Sequence, residues 1–382
     1  METMQPTLKR GRDVWDQINM PRAEFLDRVS IIKKVMQKEG VDVLLLYGNG
    51  VDEYGNTCYI SNFITAMSRG ALVIIPLEGD VVLIFEGASR GLPAAKATTW
   101  VEDVRPSWDI SGEVVKYLQE KNLLSSTVGF VGLRKLMPYD QLSFLYKSLE
   151  ETKIVDSNHI IRDMRITKSG REYDQIRRAS RIVNQAFNFI SSNLSINISE
   201  RTLEAAVDRI ARLEAAEDFR MLIAKPLEEN WALRPAEDVQ ILQGDTIIIF
   251  LAVEFERYWS EGIRTFFAGP DSLTLLDTDT TGQLYSRIMD GMKAGKAASQ
   301  FYTEAIGELS NNSVGFMPEY SLGQGIGLSL QESPIISEGD TTPLAEGMCL
   351  TVHLAARDNT TGAVMIGNTV YLSENGPEVL TE

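Results

Sequence analysis

Residues 167–190 carry Tyr173, Ile176, Ala179, Val183, Ala186 and Ile190 at spacings of three and four. That period places them on one face of a long helix, and an apolar stripe of such length has to be covered by other elements. Helical periods return over 199–216 and over 276–309, the last broken near Gly295. Runs of strand length, rich in β-branched and aromatic residues, lie at 246–255, 257–267, 348–356 and 363–373. Helices combined with antiparallel strands in this way make the second half an α+β domain.

The first half is patterned differently. Residues 22–39 put Phe25, Val29, Ile32 and Met36 on one helical face, closed by Gly40. Val41 to Tyr47 is a short apolar run, and GALVIIPLEGDVVLIFEG (70–87) reads as a hairpin around Gly79-Asp80. Helix and strand signals alternate to about residue 150, which gives an α/β domain with a mixed sheet. A chain of 382 residues exceeds what one core usually fills. The expected division is therefore an N-terminal domain over 1–155 and a C-terminal domain over 156–382, with 151–166 as a connector.

Fifty-three acidic residues against 37 basic ones leave a net charge of −16. Nucleic acid and anionic membrane are thereby disfavoured as partners, since both need a basic face. Lys168, Arg171, Arg177, Arg178 and Arg181 fall at helical spacing beside Glu172 and Asp174, as on a solvated helix face. Cys58 and Cys349 stand far apart in apolar stretches and suggest no disulfide framework. No run reaches the roughly 18 apolar residues of a membrane span, and METMQPTLKRGRDVWDQ holds no apolar stretch of the signal-peptide kind. The reading is a cytoplasmic protein.

Four segments of the second half carry a family resemblance. GDTIIIFLAVEFERYWSEGIRTFFAGP (244–270) resembles the first metal-binding hairpin of the creatinase, aminopeptidase P and prolidase family. LGQGIGLSLQESP (322–334) resembles its Gly-rich His motif, EGMCLTVHLAA (346–356) its GM…T.EP strand, and AVMIGNTVYLSENGPEVLT (363–381) its closing hairpin. The lead-in IIRDMRITKSGREYDQIRRASRI (160–182) is similar to the helix that enters its catalytic domain. The resemblance implies a pita-bread fold behind a creatinase-like N-domain, and usually a homodimer. In the creatinase branch, the N-domain of one subunit can contribute to the site of the other.

Metalloenzymes of that family hold two metals with two Asp, one His and two Glu. Carried over position by position, the first Asp falls on Phe250, the second on Glu261 and the His on Gln324. The Glu of the GM…T.EP strand falls on His353, and the last Glu on Gly367. The second His of the Gly-rich motif falls on Gln331, and an upstream His near Leu233. Glu261 and His353 remain able to coordinate, whereas a catalytic zinc normally takes three protein ligands. The expectation is a chain with no metal and no cofactor, in which the backbone glycines Gly244, Gly323, Gly325, Gly327 and Gly347 stay while the ligands change.

What remains suggests a small-molecule site. In contact, Glu261 would orient His353 as a general acid or base. Phe250 and Trp259 supply apolar walls, and Gln324, Gln331 and Glu332 supply hydrogen bonds. Arg264 and Arg357, with Arg69 of the N-domain, are candidates for a substrate carboxylate. Each also has a plain reading: Phe250 as core, Glu261 as a hairpin residue, His353 as a bonded strand residue, Arg264 as a brace. Three functions follow. The first is a metal-independent hydrolase or lyase of the creatinase or ectoine-hydrolase kind, acting on a C–N bond of a small zwitterion or carboxylate. The second is an inactive homologue that binds a peptide or small ligand. The third is a metal-dependent Xaa-Pro peptidase.

Overall fold

The computed structural model describes residues 15–65, 69–193, 198–227, 231–269, 273–275, 279–312, 315–358 and 362–382. The chain divides after Arg165 into two compact units. Unit 1 holds strands β1 (Val43–Asn49), β2 (Gly70–Pro76), β3 (Val82–Glu86), β4 (Asp103–Ser107), β5 (Thr127–Val131) and β6 (Lys153–Asp156). Its helices are α1 (Arg22–Glu39), α2 (Gly55–Ser61), α3 (Leu92–Thr98), α4 (Ile110–Glu120), α5 (Leu133–Leu136), α6 (Tyr139–Ser148) and α7 (Asn158–Ile166).

The six strands form one sheet in the order β4-β3-β2-β1-β5-β6. β1–β2 and β2–β3 pair antiparallel, whereas β1–β5, β3–β4 and β5–β6 pair parallel, so the sheet is mixed as expected. Every residue of β1 is buried, which is why Val43 to Tyr47 reads as an unbroken apolar run and not as an alternation. Helix α1 ends at Gly40, whose left-handed φ of 70° lets its N–H reach the Met36 carbonyl. The stretch expected to be a connector is instead β6 and α7. Arg165 ties α7 back to unit 1 by donating to Asn56 Oδ1 at 2.7 Å. His159 lies exposed, 3.0 Å from Glu39 Oε1.

Unit 2 holds β7 (Asp218–Ala224), β8 (Thr246–Phe255), β9 (Tyr258–Ala268), β10 (Leu273–Leu275), β11 (Gly315–Phe316), β12 (Gly323–Gly325), β13 (Glu332–Ile335), β14 (Cys349–Asp358), β15 (Gly362–Ser373) and β16 (Gly376–Val379). They make one sheet whose main path runs β13-β12-β14-β15-β9-β8-β7. Its helices are α8 (Gly170–Asn193), α9 (Glu200–Leu213), α10 (Asp279–Asp290) and α11 (Ala298–Asn311).

Strand alternation decides which residues meet the helices. Ile247, Ile249, Leu251 and Val253 of β8 pack with Val183, Ala186 and Ile190 of α8 and with Leu203 and Val207 of α9. Leu350, Val352 and Leu354 of β14, with Val370 and Leu372 of β15, pack with Leu284 of α10 and Phe301 of α11. The intervening residues of the same strands turn to the other face. There Ile248, Ile263, Ala355, Ala363, Met365, Ala224 and Met317 form a smaller apolar cluster, with Phe250, Trp231, Leu233 and Tyr320 packed against it. No helix among the described residues is long and apolar enough to cross a membrane.

Candidate functional site

The face of the unit 2 sheet turned away from α8 to α11 gathers Phe250, Glu261, Gln324, His353 and Arg357. Phe250 pairs with Ile263, Ile263 with Gly367, and Gly367 with His353, so one straight row crosses β8, β9, β15 and β14. Glu261 lies two residues before Ile263 on β9 and therefore shares its face. His353 Nε2 and Glu261 Oε1 are 2.8 Å apart, with side chains only 11% and 3% exposed. The backbone of Glu261 is fixed by Thr369 Oγ1, which receives its N–H at 2.9 Å and donates to its carbonyl at 2.9 Å. His353 is fixed by donating its backbone N–H to the Leu322 carbonyl at 2.8 Å.

That contact sets the tautomer. An ionised carboxylate only accepts, so Nε2 carries the proton and donates to Glu261. No side chain or backbone group among the described residues bonds to Nδ1. Glu261 is too deeply covered to meet a ligand itself; it orients the imidazole.

A two-cation centre does not fit these side chains. Of the five positions that the family motifs mark as ligands, Phe250 presents a half-buried ring and Gly367 presents no side chain. A Cβ at Gly367 would stand 2.8 Å from His353 Cδ2 and 2.9 Å from Ile263 Cγ1, so the imidazole already fills that space. Gln324 pairs with Thr351 on the same face, and its amide is directed to the Leu330 carbonyl at 3.5 Å. The two remaining groups, Glu261 and His353, are bonded to each other. Among the described residues, no group of three or more His, Cys, Asp or Glu is placed to hold a metal ion.

Several other candidates prove to be braces. Arg264 donates from Nη1 to the carbonyls of Ile263 and Gly367, and from Nη2 to Asn368 Oδ1 and the Thr381 carbonyl, each at 2.8 Å. It is a strand clamp and not a carboxylate receptor. Glu332 accepts from Lys168 Nζ at 2.8 Å and from the Ser329 N–H at 3.0 Å, in an ion pair whose side chains are 1% and 6% exposed. This corrects both Glu332 as a ligand contact and Lys168 as part of a solvated face. Glu172, grouped with that face, is also buried and accepts from Tyr258 Oη at 3.0 Å. Trp259 is 2% exposed beneath the Arg220 guanidinium, 4.7 Å from its ring, and so offers no open wall.

Gln331 is exposed in the loop between β12 and β13. Arg357 is exposed on β14, four residues beyond His353 and on its face, opposite Ala363. Arg69 belongs to unit 1, where its guanidinium lies 5.3 Å from the Trp108 ring. The motifs did not single out Trp231 and Tyr320, whose rings stack at 5.4 Å and 6° beside Phe250. Trp231 lies outside every strand signal, and the one clue was its nearness to Leu233, where an upstream family position fell.

Comparison with known proteins gives the family and the fold. Residues 174–374 match the metallopeptidase family M24, and residues 28–167 match the creatinase/prolidase N-terminal domain. A Xaa-Pro dipeptidase of Pyrococcus horikoshii is 27% identical over 362 residues, spanning 93% of this chain and 97% of its own. The solved prolidase from the same organism superposes with a TM-score of 0.74 at 24% identity, over 93% of this chain and 98% of that one. The N-terminal domain of FACT complex subunit SPT16 from Cicer arietinum gives a TM-score of 0.68 at 16% identity, over 94% and 96% of the two chains. The expectation of a metal-independent hydrolase or lyase for small zwitterions is overturned, because a relative that matches almost end to end, and a second that matches over 66% of this chain, both bear the name Xaa-Pro dipeptidase. The two-domain expectation, a creatinase-like N-terminal domain and a pita-bread domain, holds: the chain belongs to the metallopeptidase family M24.

Proposed function

We propose that unit 2 takes short peptides of the Xaa-Pro kind on the sheet face turned away from α8 to α11, and that it binds them without metal-centred hydrolysis. The observation that carries this reading is the sequence of groups along β14. His353 offers a ring nitrogen without a partner among the described residues at one end, the buried Ala355 lies between, and Arg357 is exposed at the other. Four residues of strand span about 13 Å, and the reach of the Arg side chain shortens that to the scale of a dipeptide or tripeptide.

Nδ1 of His353 accepts from the amino end of the ligand. The proline ring packs on Phe250 and the Trp231–Tyr320 pair, as proline-containing ligands do in aromatic grooves. The free carboxylate pairs with Arg357. The near end-to-end likeness to a Xaa-Pro dipeptidase supports the ligand class. The mismatch between the side chains and two cations supports binding in place of hydrolysis. From the same family resemblance we infer a homodimer in the cytoplasm, which light scattering and cell fractionation test.

That likeness also favours a second reading, hydrolysis of the same peptides. Titration calorimetry with Leu-Pro, followed by an assay for free proline with added Mn or Co, separates the two. Binding without proline release supports the first reading, and EDTA-sensitive release supports the second. If no Xaa-Pro peptide binds at low millimolar concentration, both fail.

A further inference from the structure

Unit 1 contains a cavity of about 170 Å³ between the start of β2, the end of β3 and α3. Phe63, Thr65, Arg69, Phe85, Glu86 and Ala95 lie in its wall. Arg69 has its guanidinium over the Trp108 ring, and no hydrogen bond or ion pair engages it among the described residues. Glu86 receives the Gly70 N–H on Oε2 at 2.8 Å, which leaves Oε1 open. Thr65 is 3% exposed, and its hydroxyl has no partner among the described residues. Phe63 and Phe85 form a tilted ring pair at 5.7 Å on the apolar side.

A cation and an anion thus share one small cavity without pairing, next to an unmet hydroxyl and an aromatic wall. A buried hydroxyl is normally satisfied, so the unmet Thr65 beside the half-buried Arg69 and Glu86 points to a ligand. The cavity is far larger than one water needs, yet smaller than the roughly 300–1,000 Å³ of drug-sized sites. The larger cavity along α1, about 470 Å³, differs in this respect. There Arg22 is paired with Glu102 at 2.8 Å and Lys33 donates to the Gly79 carbonyl at 2.6 Å.

We propose that this cavity binds a free α-amino acid with an apolar side chain. The carboxylate meets Arg69 and the Thr65 hydroxyl, the ammonium meets Glu86, and the side chain packs on Phe63, Phe85 and Ala95. The site lies wholly within unit 1 and does not depend on what unit 2 binds.

Calorimetry and thermal shift on the full chain test it, with L-leucine, leucinamide, which lacks the carboxylate, and 4-methylpentanoate, which lacks the ammonium. L-Leucine is expected to bind, and each analogue to bind about tenfold more weakly or worse, the usual effect of losing one charged hydrogen bond. Arg69→Ala is expected to weaken leucine to the same degree. Thr65→Val removes an unmet buried hydroxyl, so it raises the melting temperature of the free protein while shrinking the shift that leucine produces. His353→Ala leaves leucine binding intact, which separates this site from the peptide face. Three results overturn the proposal: no leucine binding at low millimolar concentration, binding unchanged in both Arg69→Ala and Thr65→Val, or binding lost in His353→Ala but kept in Arg69→Ala.

Discussion

The imidazole of His353 lies across Gly367, at a distance that leaves no room for a Cβ there. The two residues pair directly between β14 and β15, so the contact is set by sheet register and not by a mobile side chain. A carboxylate at this point is incompatible with His353 where it stands. Gly367→Glu is expected to lower the melting temperature and still give no tight Mn binding. Scanning fluorimetry and Mn calorimetry check both. A Gly367→Glu protein of unchanged stability that binds two Mn ions would show that His353 does not fill this space.

Glu261 holds the imidazole from beneath. Glu261→Ala leaves a buried histidine nitrogen without its partner, a loss of about 1–3 kcal/mol. Urea unfolding should show that loss, and Leu-Pro binding should fall with it. Glu261→Gln keeps an acceptor oxygen within reach and should recover most of the stability. Equal stability of Glu261→Ala and the wild type would mean that the contact contributes nothing.

The peptide reading separates two ends of the ligand. Arg357→Ala should weaken Leu-Pro but leave its C-terminal amide unaffected, because the amide carries no charge for the guanidinium to meet. Trp231→Ala should weaken Leu-Pro more than Leu-Ala, since it removes the flat surface under the ring. Competition binding with the four peptide and variant combinations tests this, and equal losses throughout would refute the assignment.

The β8–β9 turn places Glu256 and Arg257 at φ of 45° and 73°, in the left-handed region that few residues other than Gly adopt. Glu217 supports it by receiving the Arg257 backbone N–H at 2.7 Å and the guanidinium at 3.0 Å, within a buried pair. Glu217→Ala removes one of two carboxylates on this buried guanidinium, Glu256 Oε2 remaining at 3.0 Å, so the loss is about 1–3 kcal/mol. Equilibrium unfolding should show a change of that order, and a change of a few tenths would exclude a supporting role for the pair.

Burial pushes the Cys349 thiol up to about 12. Its folded value therefore lies above that of the unfolded chain, and the neutral thiol favours the fold at neutral pH. As pH rises above about 9, the unfolded chain releases the proton first, so stability falls between there and about 12. Urea midpoints measured from pH 7 to pH 11 should decline, and less so in Cys349→Ala. At pH 8, Cys349 should resist alkylation until the protein unfolds.

Periodicity alone located α1, α8, the β2–β3 hairpin and the long strands of unit 2, because each buries a stripe or a run that its own sequence writes out. The resemblance to the family's motifs marked Glu261 and His353, which fall at its ligand positions, where periodicity could not. Two further things escaped periodicity. Alternation names two faces of a strand without saying which one the helices cover, so Phe250 read equally as core and as site wall. A charged residue reads as solvated until its partner is known: Lys168 and Glu332 stand 164 positions apart, and only the folded chain brings them to 2.8 Å. The sequence determined the strands, their order and the change at the ligand positions. The tertiary structure decided that His353 fills the space above Gly367, that Arg264 is fully engaged as a clamp, and that Trp231 and Tyr320 wall the same face. Those facts depend on which distant backbones are held side by side, and no local pattern records them.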